Sequence, residues 1–209
     1  MLSPMAFAEE IAQVAPGVFI WQVYDPAVKA DLFSTALETP AGIYLVDPIG
    51  LQVDAANTLE SRQKVSGIVV TNENHERAAL QFAERFSVPV YLYAGMGQAG
   101  VLPPMVELQD NGAVASGLTA IAIDGAPAGE IALHYEADGG TMVIGDALIN
   151  FEPHGFALLP AKYCRDLKLM RRSLPRLLDY RFERMLFAHG TPILSGARVR
   201  FEQLLGANR

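Results

Sequence analysis

Cysteine is nearly absent: Cys164 stands alone among 209 residues, so no intramolecular disulfide can form. Long apolar runs are missing as well. A membrane span needs roughly 20 uninterrupted apolar residues, and the longest candidates here are broken by Gly, Pro or Asp, which excludes a membrane partner. Residues 1–12 carry Glu9 and Glu10 where a secretory leader would place a basic region and then an apolar run. A cytoplasmic protein is the expectation. Positive charge is also scarce, with 16 Lys and Arg against 23 Asp and Glu for a formal net charge of −7. Binding to a phosphate backbone needs clustered cations that displace counterions, so no nucleic-acid partner is expected. One basic run does exist, Arg165, Lys168, Arg171, Arg172 and Arg176, but its helical spacing reads as the solvated face of a helix. A Gly-rich phosphate cradle is lacking, because Gly95, Gly97, Gly139 and Gly140 have neither the spacing nor the following helix.

What remains is ordinary globular material, 51% hydrophobic and 19% charged, and 209 residues can bury one substantial core. One domain, 1–209, is expected. β-branched and aromatic runs bounded by turn residues predict strands at 18–24 and 42–46, and short apolar runs predict further strands at 67–71 and 88–93. Helices are predicted over 54–64 and 76–86, the second from Ala79, Leu80, Phe82, Ala83 and Phe86 at helical spacing. Short strands follow at 106–108, 117–123, 130–136 and 141–144. Asp110-Asn111-Gly112 and Asp138-Gly139-Gly140 read as hairpin turns between them. A helical region at 161–180, kinked at Pro175, a strand at 185–188 and a helix at about 197–205 complete the chain. This order fits two sheets packed face to face under outer helices.

Four segments carry the chemistry. Ile43-Tyr-Leu-Val-Asp47 is a strand ending in a carboxylate, and Ile68-Val-Val-Thr-Asn-Glu-Asn-His-Glu-Arg77 is a strand running into a polar helix start. Gly125-Ala-Pro-Ala-Gly-Glu-Ile-Ala-Leu-His134 leads to Met142-Val-Ile-Gly-Asp-Ala-Leu148, and Leu186-Phe-Ala-His-Gly-Thr-Pro192 places a histidine in a loop. In this order they resemble the metallo-β-lactamase superfamily, over nearly the whole chain. The resemblance implies an α/β fold, a four-layer αββα sandwich, with a hydrolase site at the segment ends.

The resemblance also exposes losses. Asn72, Asn74 and Arg77 stand where the family's signature carries histidines, Glu76 where it carries aspartate, and Ala126 where a third segment supplies a histidine. Asp146 and His189 alone match the family's ligands. Hydrolysis in this family uses imidazole and carboxylate ligands with an open position for water, so no bound cofactor is expected. The fallback is one Zn, Fe or Mn ion at Glu76, Asp146 and His189. The pocket then comprises Asn72, Asn74, His75, Glu76, Arg77, Asp146 and His189. Arg77 is expected to fill the vacated region and pair with Asp146, since a desolvated carboxylate needs a cation. His75 reads either as a relocated ligand or base, or as a helix-start histidine in an ordinary hydrogen bond. Asn72 and Asn74 also suit capping. His134 reads as a sheet residue, His154 as a loop residue near the pocket, and Cys164 as packing. Three functions stay open: a non-catalytic small-molecule binding or regulatory protein, a mononuclear metal-dependent hydrolase, and a scaffold or oligomerisation module. The substrate and the oligomeric state are not legible.

Overall fold

The computed structural model describes residues 7–26, 29–94, 96, 103–151 and 154–207. A first sheet holds seven strands in chain order: Ala12–Ala15 (β1), Val18–Asp25 (β2), Ala30–Thr39 (β3), Gly42–Val46 (β4), Val65–Val69 (β5), Val90–Tyr93 (β6) and Met105–Leu108 (β7). β1 to β4 pair antiparallel, whereas β4 to β7 are parallel neighbours. Parallel pairing demands crossovers, and the helices Val53–Glu60 (α1) and Ala79–Phe86 (α2) supply the first two. The second sheet begins with Gly112–Ala115 (β8), Leu118–Ala122 (β9), Ile131–Tyr135 (β10) and Thr141–Ile144 (β11). A small hairpin, Leu148–Phe151 (β12) and Gly155–Leu158 (β13), and the helix Leu167–Ser173 (α3) follow. Arg184–Phe187 (β14) then returns to pair parallel with β11, giving the order β14-β11-β10-β9-β8, and Ala197–Ala207 (α4) ends the described chain.

Alternation along the strands builds the layers. Ile43, Leu45, Ile68, Val90 and Leu92 turn toward Ala55, Leu59, Ala79 and Phe82 of the helices, while Tyr44, Val46 and Val69 turn the other way. There they meet Leu118, Ile131, Leu133 and Leu186 of the second sheet. On its far face that sheet sends Ile121, Ala132, Met142 and Phe187 against Met170, Leu174, Leu177 and Phe201. The result is helices, sheet, sheet, helices, the four-layer αββα sandwich.

Several elements differ from expectation. Sequence patterning does not predict β3, because Asp31, Ser34, Thr35 and Glu38 break its apolar pattern, yet it pairs with β2 at eight successive positions. α2 starts at Ala79, three residues late, since Arg77 adopts a left-handed φ of 42° that no helix continues. The region 161–180 divides into a 3₁₀ turn, α3 and a second 3₁₀ segment, Leu174–Asp179, carrying Pro175 in its first turn. Asp166 accepts from the N–H groups of Lys168 and Leu169 and so fixes where α3 begins. Asp110-Asn111-Gly112 is no hairpin: it carries the chain from β7 in one sheet to β8 in the other. Asp138-Gly139-Gly140 does turn β10 into β11. Among the described residues no helix is long and apolar enough to cross a membrane.

Candidate functional site

The polar segments converge where β4, β5, β11 and β14 end. Asp47 follows β4, Thr71 and the loop 72–78 follow β5, Asp146 follows β11, and His189 follows β14. Asp47 is buried, and its Oδ1 accepts the Thr71 backbone N–H at 2.8 Å. Its Oδ2 accepts the Thr71 hydroxyl at 2.6 Å and the His75 Nδ1 proton at 2.9 Å. The His75 ring is thereby held with Nε2 facing Asp146, 3.3 Å from Oδ1. That contact is an ion-pair distance without hydrogen-bond alignment, so Nε2 is buried and lacks a hydrogen-bond partner. His189 Nε2 lies 3.3 Å from the same Oδ1, and the two imidazole rings are 5.4 Å apart.

A second carboxylate completes the cluster. Glu130 Oε1 accepts the backbone N–H groups of Asp146 at 2.6 Å and Ala147 at 3.0 Å. The Asn72 amide donates to Glu130 Oε2 at 2.7 Å and to Asp146 Oδ2 at 3.1 Å. That amide nitrogen also lies 3.3 Å from His75 Nδ1, a contact between two donors once Nδ1 carries its proton. Gly145 permits this crowding: a Cβ there would sit 2.5 Å from Thr71 Oγ1 and 2.9 Å from Glu130 Oε1.

Electrostatics follow from burial and contacts. Burial opposes charge on His75, but Asp47 and then Asp146 outweigh it and push the imidazole up to about 9. Burial drives His189 down to about 4. Glu130 is pushed up to about 8 by burial and then by the Asp146 charge, against the donated N–H groups. Burial opposes ionisation of Asp146, yet the neighbouring His75, His189 and Arg77 hold it below the usual carboxylate range. With His75 protonated and the Arg77 guanidinium present, two cations stand near Asp47 and Asp146, while burial and the Asp146 charge press Glu130 toward its neutral form.

The expected pocket residues are thus divided. Asn72, His75, Asp146 and His189 come together. Glu76 does not: it is exposed and lines a hollow with Asn72, Glu73 and Leu80, and the donor atoms that do approach one another are those of His75, Asp146 and His189, not the fallback set of Glu76, Asp146 and His189. Asn74 is exposed and contributes only its backbone N–H, which the Asn72 side chain accepts at 2.8 Å. Arg77 approaches but does not pair with Asp146. Its Nη1 donates to the carbonyls of Phe33 at 2.6 Å and Asp47 at 3.0 Å, and Nη2 to Ala188 at 3.4 Å. The left-handed Arg77 backbone sends the side chain between the sheets onto three backbone carbonyls, two of which also accept from the Ser34 hydroxyl and the Phe33 N–H, while Asp146 takes its hydrogen bond from the Asn72 amide. Ala126 is buried in the apolar cluster under α3. His134 Nε2 donates to the Arg181 carbonyl at 2.8 Å, and His154 is exposed beside Phe151. Asp47, Thr71 and Glu130 are the residues that sequence reasoning did not assign to the site. For Glu130 a signal existed, a carboxylate placed directly before the apolar run of β10.

Residues 12–207 match the metallo-β-lactamase superfamily model, and the chain belongs to that superfamily. A metallo-β-lactamase family protein from Thermus thermophilus is similar in structure, with TM-score 0.65, 23% identity, and coverage of 94% of this chain and 80% of that one. A β-lactamase domain protein from Burkholderia ambifaria gives 0.66 and 23%, covering 95% and 76%. A metallo-β-lactamase from Pontibacter korlensis gives 0.72 and 16%, covering 96% and 99%. The comparison with curated protein sequences gives no match.

Metal dependence is usual in this superfamily, and among the described residues one group of donors fits a single ion. Asn72 is spent on Glu130 and Asp146, Asn74 points outward, and Ala126 has no donor. The His75, Asp146 and His189 ligand atoms lie within 4.8 Å of one another and could hold a single ion.

Proposed function

We propose that this protein is a hydrolase-fold member whose metal centre has become an internally neutralised polar network, and that it acts as a non-catalytic small-molecule binding or regulatory protein. One observation carries the reading: the His75 imidazole lies between Asp47 and Asp146, the place where a cation is needed. An imidazolium there compensates the buried carboxylates that metal ions would otherwise neutralise. Asn72 crosslinks Asp146 to Glu130, whose other oxygen accepts the backbone N–H groups of Asp146 and Ala147.

A second reading is favoured by the unpartnered His75 Nε2. In it, His75, Asp146 and His189 hold one ion, which when bound would lower the pKa of a coordinated water to near neutrality. Asp47 would fix the tautomer by accepting from Nδ1, as carboxylates do behind metal-bound histidines. Elemental analysis of tag-free protein after exhaustive dialysis separates the two. Our reading expects well under one equivalent of zinc, iron or manganese and no turnover of ester, thioester or lactam substrates. One equivalent, lost in both Asp146→Ala and His189→Ala, would establish the second reading instead.

A further inference from the structure

We infer that the groove between α3 and α4 binds a single acyl chain ending in an anionic head, carboxylate or phosphate, at a site separate from the Asp47 to Asp146 network. The groove encloses about 680 Å³. Leu158 of β13, Pro175, Leu178 and Leu205 provide apolar walls, and Lys168, Arg171 and Arg172 stand exposed along it.

Charge supplies the first argument. The molecule is anionic overall, yet three cations gather here, and the one acid lining the groove, Glu202, is held by Arg198 at 3.2 Å. Arg176, the last member of the basic run, pairs with Asp110 elsewhere, and Arg165 borders a different hollow. The run is therefore not one evenly solvated helix face: α3 directs Lys168, Arg171 and Arg172 into the groove together. Arginines favour carboxylate and phosphate heads, which their planar forks engage through paired hydrogen bonds.

Size supplies the second argument. Small-molecule sites run roughly 300–1,000 Å³, and this one falls within that range. A protein partner needs about 20–30 residues a side, whereas nine line this groove. The volume suits one chain better than the two of a membrane lipid. A leucine-walled trough with cations on its rim matches a molecule with one apolar chain and one charged end, because each part then meets its own kind of surface.

Calorimetric titration of the full chain, below micelle concentrations, tests this with dodecanoate, dodecyl phosphate, octanoate, dodecanol and inorganic phosphate. Saturable binding of dodecanoate or dodecyl phosphate is expected, the tighter naming the head. Dodecanol and inorganic phosphate should each bind at least about tenfold more weakly, since each lacks one of the two interactions, and octanoate should fall between. Arg171→Gln with Arg172→Gln, both exposed, should weaken the anion by about tenfold or more, while Lys64→Gln with Arg85→Gln on the opposite layer should leave it unchanged. Equal affinity in the two double variants, or inorganic phosphate binding as tightly as the amphiphiles, would overturn the proposal. So would a dimer, seen by light scattering without ligand, that the Arg171 and Arg172 changes dissociate.

Discussion

Gly145 shows how tightly the site's geometry is specified. It is a glycine by space and not by backbone angle, because Thr71 and Glu130 approach to within 2.5 and 2.9 Å of where its Cβ would lie. Neither neighbour can retreat freely: Thr71 Oγ1 donates to Asp47, and Glu130 Oε1 accepts two backbone N–H groups. Gly145→Ala should therefore destabilise the fold by about 1–3 kcal/mol, the usual cost of overpacking a filled interior. Urea unfolding measures it, and a change within error of zero would mean the cluster is looser than these distances imply. The same residues mark what a sequence can convey. Asp146 and His189 were legible because each keeps the residue type and the segment of the superfamily pattern. His75 was not separable from a capping residue, since its role depends on Asp47, 28 positions away, accepting a hydrogen bond from Nδ1. Glu130 escaped notice because burial of a carboxylate is a property of its surroundings.

The loop from Asn72 to Ala78 is the element that rewrites the site. The left-handed Arg77 delays α2 to Ala79, exposes Glu76, and sends the guanidinium between the sheets. There it ties β3 through Phe33, the end of β4 through Asp47, and the segment after β14 through Ala188. Three carbonyls on two sheets share one side chain, so Arg77 acts as a clasp. Sequence patterning located both helices and most strands of this half, but helix onset depended on one backbone dihedral that no periodicity encodes. Arg77→Met should cost roughly 1–3 kcal/mol, because the Asp47 and Ala188 carbonyls keep the Ser34 hydroxyl and the Phe33 N–H as donors and the loss falls mainly on the Phe33 carbonyl. Arg77→Lys should recover less than half, because an ammonium cannot span three carbonyls as the planar fork does. The loss should be nearly the same in an Asp146→Asn background. Strong coupling to Asp146 in that double-mutant cycle would restore the direct ion pair that these distances exclude.

At the scale of the whole molecule, the network makes stability depend on pH in a direction that separates the two functional readings. The folded His75 pKa of about 9 lies above its ordinary 6.5, so its contribution is fully present below 6.5 and is lost as pH rises through 9. Glu130, raised to about 8, acts in the same direction: the fold favours its neutral form, and the cost of ionising it grows as pH climbs from 4.5 to 8. Asp47 and Asp146 are both depressed, so what they add is present above their ordinary values and lost only as the solution becomes strongly acidic. His189, lowered by burial to about 4, works the other way, losing stability as pH falls from 6.5 to 4 and so offsetting the Glu130 slope there. Stability without metal should thus be level from about pH 4.5 to 6.5 and decline toward 9.5. With each pKa unit equivalent to about 1.4 kcal/mol, the change at His75 from 6.5 to about 9 limits its share of that decline to roughly 3 kcal/mol. Metal ligation reverses the sign, because an ion at His75 competes with the proton and binds more firmly as pH rises. Denaturant unfolding at pH 6 and pH 9.5, with and without a chelator, distinguishes these cases. A neutralised network predicts the same decline in both. A gain in stability at pH 9.5 that the chelator abolishes would show that the protein holds an ion in solution, as the second reading requires and the neutralised network does not.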